Sequence, residues 1–291
     1  MPTLDGKVAF ITGAGSGIGR GAAERLAREG ANICIADIDL DGAAHTASTV
    51  REFGCDALVV KANVASQPQV EKAIERCVGE LGRIDIAVAN AGIGRGGSVL
   101  ELSLKDWQDQ VDINLTGVFL TVQAAAREMV RLGNGGRIVC ISSLAAELTG
   151  VGSWAYSATK VGVRMMVRGW AQELGQYGIT VNAIGPGVID TPLAHGLAGD
   201  EGGPIRTALE KRTPLGRSGQ PSDIAGLIAF LSGPDAAFMT GSYLLMDGGL
   251  RDSGRGWAQG DPEDPATQER MLHMATSEQR RQRLQPLIDE R

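Results

Sequence analysis

The chain has 291 residues, of which 43% are hydrophobic and 21% charged, and 41 are glycine, about twice the usual share. This balance excludes a wholly disordered chain, and glycine without a three-residue period excludes a collagen-like one. The net charge of −6, with no basic stripe, argues against nucleic-acid binding. No run reaches the ~18 apolar residues of a membrane span. The start MPTLDGK lacks the basic and apolar regions of a secretory signal. Cys34, Cys55, Cys77 and Cys140 stand far apart without a CxxC pair, so reduced thiols and, by default, a cytoplasmic location are expected. His45, His195 and His273 have no ligand spacing, so no metal site is expected.

In chain order, short β-branched runs alternate with helical patterns. Strands are predicted at residues 8–12, 32–36, 57–61, 84–89, 137–141, 180–184 and 242–246. Helices are predicted at 19–29, 42–53, 67–81, 104–132, 155–177 and 222–231. Such alternation implies an α/β fold: a Rossmann-like, doubly wound, mainly seven-stranded parallel sheet with helices on both faces. One catalytic domain is expected over 1–249, with a mobile lid near 191–217. Residues 250–291 read as a polar, turn-rich extension. Asp264 and Pro265 signal the start of a helix running toward residue 283, docked on a partner or solvated.

Ligands of such sheets lie beyond the carboxyl ends of the strands, so residues there carry the functional argument. After the first strand stands FITGAGSGIGRG. The strict GxGxxG pattern fails because Ile18 takes the third glycine's place, and no GK[ST] follows to make a P-loop. TGxxxGxG fits, on Thr12, Gly13, Gly17 and Gly19. A dinucleotide pyrophosphate on the helix N-terminus is one reading, a glycine-rich turn without ligand the other. Asp37 lies 24 residues beyond Gly13, near the ~20-residue offset of a ribose-binding acid. A carboxylate there repels a 2′-phosphate. Ile38 and Ser16 beside it are uncharged, which favours NAD over NADP. The alternative for Asp37 is a cap on the next helix.

Tyr156 and Lys160 are four residues apart and share a helix face. An ammonium near a phenol favours the phenolate, so Tyr156 is expected to ionise nearer neutrality and serve as acid or base. By chance alone the pair would be an exposed one. Ser143 ends the strand before this helix. Asn90, Ala91 and Gly92 follow the fourth strand, and Asn114 sits inside the long helix, where an amide needs a reason.

Taken together, TGAGSGIG, NAG, Asn114, Ser143, YSATK and PGVIDT stand in the order and spacing of the short-chain dehydrogenase/reductase superfamily, which the chain resembles over residues 1–249. The resemblance implies Tyr156 as acid/base, Ser143 as stabiliser of the substrate oxygen, and Lys160 as the residue that binds the nicotinamide ribose and lowers the tyrosine pKa. It gives Asn114 the water of a proton relay. It implies an NAD site on Thr12, Gly13, Gly15, Ser16, Gly17, Ile18, Gly19, Asp37, Ile38, Asn63, Val64, Asn90, Ala91, Gly92, Tyr156, Lys160, Pro186, Gly187, Ile189 and Thr191. Asn63 stands where the family often has aspartate, and it retains the means to pair with an adenine edge. A homodimer or homotetramer through the two long helices is also implied.

The expected activity is NAD-dependent interconversion of a secondary alcohol, with a polyol or sugar preferred, and its ketone. Arg95, Glu147, Trp154 and His195 are candidate substrate contacts together with Ser143, and Leu197 would suit a ring. Each is as readily a solvated or packing side chain. A 3-oxoacyl thioester (acyl-carrier-protein) reductase is the rival enzyme, which would want NADPH. A non-catalytic dinucleotide sensor or scaffold is the rival of another class.

Overall fold

A computed structural model describes residues 4–150, 152–198 and 203–253, and of 196–198 the backbone alone. The strands are β1 (Val8–Thr12), β2 (Asn32–Asp37), β3 (Ala57–Lys61), β4 (Ile86–Ala89), β5 (Gly136–Ile141), β6 (Ile179–Pro186) and β7 (Tyr243–Met246). They form one sheet in the order β3-β2-β1-β4-β5-β6-β7, and every neighbouring pair is parallel. The central strands are buried along their whole length, which is why they read as unbroken apolar runs.

The helices are α1 (Gly17–Arg28), α2 (Leu40–Glu52), α3 (Gln67–Leu81), α4 (Leu104–Val111), α5 (Gly117–Leu132), α6 (Trp154–Leu174), α7 (Pro192–Ala198), α8 (Pro204–Arg212) and α9 (Pro221–Ser232). Alternate strand residues face opposite sides, and two cores follow. Phe10, Cys34 and Ala87 pack with Ile74 of α3, Met129 of α5 and Val163 of α6. Ala9, Ile11 and Ile35 pack with Leu26 of α1, Val50 of α2 and Ile228 of α9. The strand order reverses between β1 and β4, so the carboxyl ends of β1, β2, β4, β5 and β6 flank one crevice.

The structure differs from the expected helix pattern in two places. The helix expected over 104–132 is interrupted by a π-helical turn at Asp112–Thr116, which separates α4 from α5. Around Asn114 the cause is local: its amide is drawn toward the backbone of Ile93 and not out to solvent. The segment expected as a mobile lid carries α7 and α8. Within it Arg206, 1% exposed, pairs with Asp190 at 2.9 Å and donates to Ser218 Oγ at 3.1 Å. Beyond β7 the chain closes on Leu250, which is buried. The helix expected from Pro265, the side chain of Leu197 and residues 199–202 lie outside the described residues.

Candidate active site

The crevice is an open cleft of about 1000 Å³, at the upper end of the range for small-ligand sites. One wall is the loop from β1 into α1. Gly13 has φ +65°, a left-handed conformation that a side chain would strain. Gly19 is required for another reason: a Cβ there would stand 2.2 Å from the Gly13 carbonyl oxygen. This contact lets the first turn of α1 sit directly against the loop. Ser16, the N-cap, is extended and makes no side-chain cap. The first-turn N–H groups therefore retain donors for an anion. Ser16, Gly17 and Ile18 line the cleft.

The loop is held from two sides. Asp37 Oδ2 accepts from Gly15 N–H at 2.7 Å and its Oδ1 from Asp39 N–H at 2.9 Å. The carboxylate still lines the cleft beside the exposed Ile38. Asp39, not Asp37, caps α2. Asn90 Nδ2 donates to Thr12 O at 2.9 Å and Gly13 O at 3.0 Å. Thr12 Oγ1 accepts from Asn90 and Ala91 N–H. Thr12, Gly15 and Gly19 thus shape the loop from behind, outside the lining. Asn63 Oδ1 accepts from Ala65 N–H at 3.0 Å, while Asn63 and Val64 line the far end of the cleft.

Asn114 is wholly buried. Its Oδ1 accepts from Ile93 N–H and its Nδ2 donates to Ile93 O, both at 2.8 Å, with Thr159 Oγ1 at 3.4 Å. Its side chain is therefore committed to the chain after β4 and lies behind the cleft wall. A Cβ at Gly92 would stand 3.2 Å from Asn114 Oδ1 and 3.6 Å from Lys160 Nζ. The bare glycine keeps that approach to the ammonium open.

Ser143, Tyr156 and Lys160 meet in the cleft. Ser143 follows β5 in extended conformation and caps a 3₁₀ turn at Leu144–Ala146. Tyr156 and Lys160 lie on α6, with Nζ 5.5 Å from the phenol ring centroid. Lys160 Nζ donates to Ile141 O at 3.0 Å, and burial pulls its pKa down to about 8. Burial pushes the Tyr156 phenol up to about 12, against a hydrogen bond with Ser143 that lowers it. The expected depression toward neutrality is therefore not supplied by these side chains: desolvation of the phenolate outweighs the Ser143 bond. At neutral pH Lys160 is mostly cationic and Tyr156 a phenol.

The cofactor-type expectations Pro186, Gly187, Ile189 and Thr191 line the cleft at the end of β6. Thr191 Oγ1 also accepts from Ala194 N–H and caps α7. The four proposed substrate contacts besides Ser143 are not brought into the cleft. Arg95 is half exposed beside Asp106. Glu147 bridges Arg164 and Arg251 at 3.0 and 3.1 Å. Trp154 stacks on Trp107 and donates to Gly97 O at 3.2 Å. His195 Nε2 pairs with Asp190 Oδ1 at 2.8 Å, and with Arg206 this holds the Asp190 carboxyl below its usual range. In each case a nearby opposite charge, ring or carbonyl captures the polar group, which residue type alone cannot foretell. The wall is instead formed by Ile93, Leu148, Leu193, Ile205 and Leu209, with Thr149, Ser153 and Arg212. Among the described residues no cluster of three metal-ligating side chains occurs, and no helix is long and apolar enough to cross a membrane.

A doubly wound sheet with a glycine loop at its switch point and a Ser–Tyr–Lys group across the cleft defines a dinucleotide-dependent oxidoreductase. A family profile described as enoyl-(acyl carrier protein) reductase matches residues 13–251. L-rhamnose 1-dehydrogenase (NAD(P)(+)) of Sphingomonas sp. (strain SKA58) is 38% identical over 251 residues, covering 86% of this chain and 98% of that protein. A 3-oxoacyl-[acyl-carrier-protein] reductase of Synechocystis sp. (strain ATCC 27184 / PCC 6803 / Kazusa) is 38% identical, covering 86% and 99%. The crystal structure of carveol dehydrogenase from Mycobacterium avium in complex with NAD superposes with a TM-score of 0.81 at 33% identity, covering 86% and 99%. The chain belongs to the short-chain dehydrogenase/reductase superfamily and is an oxidoreductase.

Proposed function

We propose that this protein uses NAD to interconvert a secondary alcohol and its ketone, with Tyr156 as acid/base. The observation that carries this reading is the convergence of Ser143, Tyr156 and Lys160 on one cleft whose other half is a dinucleotide cradle. The donors left at the start of α1 fit a pyrophosphate, and the close packing that Gly13 and Gly19 permit sets the loop beside them. Asp37 suits the adenosine ribose hydroxyls and opposes a 2′-phosphate. Asn63 and Val64 flank the adenine end, Asn90–Gly92 the nicotinamide ribose, and Pro186–Thr191 the carboxamide. When bound, oxidised nicotinamide supplies the hydride acceptor and a positive charge beside Tyr156.

In oxidation the Tyr156 phenolate takes the alcohol proton while Ser143 Oγ hydrogen-bonds the oxygen on which charge changes. Lys160 would hold the ribose, while the Ser143 bond and the nicotinamide charge would favour the phenolate. The proton leaves by relay: the Lys160 ammonium releases one of its own protons toward solvent as it receives the new one, on the side where Gly92 carries no side chain. Asn114 contributes by fixing the π turn and the Ile93 backbone that frame this side. Reduction reverses each step.

The apolar wall suits an alcohol on a compact or cyclic carbon frame. A sugar or polyol stays within this reading, supported by the rhamnose dehydrogenase relative. The acyl-carrier reading is disfavoured by Asp37, since it calls for NADPH. A cytoplasmic location and a dimer or tetramer belong to the same proposal. Val161 and Met165 of α6 and Phe119 of α5 face outward, whereas Met166 and Trp170 pack on the chain's own core. The test is a screen of secondary alcohols and ketones with both cofactors, following reduced-nicotinamide absorbance. Turnover with a clear preference for NAD is expected, and a strong preference for NADP overturns the Asp37 argument.

A further inference from the structure

Ser143 is held by more than its own turn. Its carbonyl oxygen accepts from Ala146 N–H at 2.9 Å within that turn. The same oxygen accepts from the Tyr243 hydroxyl at 2.6 Å, a contact spanning 100 residues of sequence. Tyr243 stands on β7, the edge strand, opposite Ala183 of β6. To reach Ser143 its ring crosses Gly185, where a Cβ would lie 2.3 Å from the phenol oxygen and 2.5 Å from the carbon bearing it. No side chain fits there while Tyr243 keeps this pose. The Arg164 guanidinium lies over the ring, 4.6 Å from the centroid. Glu147 fixes that guanidinium at 3.0 Å and is itself bound by Arg251 at 3.1 Å. Burial, with the Glu147 charge nearby, raises the Tyr243 pKa well above that of a free phenol, so the group stays a hydrogen donor across the working range.

We propose that Tyr243 is a positioning residue for Ser143: its phenol, braced by Arg164 and Glu147, holds the Ser143 main chain so that the hydroxyl stays aimed at Tyr156 and the reacting oxygen. This rests on the oxidoreductase reading of Ser143 and Tyr156. Tyr243 touches neither cofactor nor substrate in this scheme. Its effect passes through the Ser143 carbonyl to the Ser143 hydroxyl. Glu147 therefore acts behind the site and not as a substrate contact.

The test starts from wild-type turnover that disappears in Tyr156→Phe, which secures the underlying reading. Against that background Tyr243→Phe is expected to lower kcat about three- to tenfold, the range for one neutral hydrogen bond, with the KM for NAD unchanged and the thermal midpoint lowered by no more than about 4 °C. Because the Ser143 bond lowers the Tyr156 pKa, the rising limb of the oxidation pH profile is expected to move to higher pH. Gly185→Ala is expected to lower kcat by displacing the phenol, and adding Gly185→Ala to Tyr243→Val is expected to cost nothing further. A readout independent of turnover comes from ¹³C-serine/¹⁵N-leucine labelling, which isolates the Ser103–Leu104 and Ser143–Leu144 peptide bonds. In Tyr243→Phe the Ser143 carbonyl resonance is expected to shift while that of Ser103 does not. Unchanged kcat and pH profile in Tyr243→Phe, full additivity of the Gly185 and Tyr243 changes, or an unmoved Ser143 resonance overturns the proposal. A wild type inactive on every alcohol, with the Ser143 resonance still moved, overturns the function and leaves the contact standing.

Discussion

Tyr156 and Lys160 occupy one face of α6, and burial drives their pKa values apart, to about 12 and about 8. The two shifts act on stability in opposite directions. Lys160 binds its proton more weakly folded than unfolded, so between pH 8 and about 10.5 the unfolded chain holds more protons and stability rises with pH. Tyr156 is the reverse: above pH 10 the unfolded chain loses its phenolic proton first, and stability falls. Urea unfolding of wild type and Lys160→Met across pH 7–10 is therefore expected to show the wild type gaining relative to the variant above pH 8. A constant difference would contradict the buried cation. Both residues were legible because a four-residue helical spacing and a preceding Ser143 survive in the sequence. The pKa of Tyr156 was not legible, because desolvation depends on what packs around the phenol. Arg95, Glu147, Trp154 and His195 lie outside the cleft lining for a related reason: each has a partner set by tertiary structure.

At the scale of elements, the strand-and-helix alternation of the sequence maps onto β1 to β7 with small changes at the ends. The exception is the α4–α5 region, whose continuous helical periodicity hid the π turn at Asp112–Thr116. The signal was an asparagine within a helix, noted as needing a reason. That reason is the pair of bonds to the Ile93 backbone. Asn114→Leu removes both bonds to the half-buried Ile93 backbone, at a cost of about 1–3 kcal/mol. Chemical denaturation is expected to show that loss, and a change below ~0.5 kcal/mol would contradict it. The α8 segment was read as a lid because glycine and charge dominate its composition. Within it Arg206 is buried against Asp190, Ser218 and Glu210, a set of contacts that composition does not foretell.

At the scale of the molecule, the parallel sheet follows from the alternation, and the site follows from the sheet. Residues near 12, 37, 90, 143 and 186 are far apart in sequence but end neighbouring strands. The strand order that gathers them was legible only through motifs tied to the superfamily, since periodicity alone fixes no order. The described core closes at Leu250, and the Asp247 carboxylate accepts from Gly249 and Arg251 N–H. A chain ending at residue 253 is expected to unfold cooperatively and to bind NADH as the full chain does. Loss of cooperativity on truncation would contradict a single domain over 1–249.

The central claim is that Tyr156 exchanges the substrate proton while hydride passes to or from nicotinamide. It is tested most directly by turnover of a secondary alcohol with NAD in wild type and Tyr156→Phe. The variant keeps the ring but cannot exchange a proton. The account predicts that NADH affinity is retained and that kcat falls by about a hundredfold or more, the usual share of acid–base catalysis. Equal rates in the two proteins would contradict it.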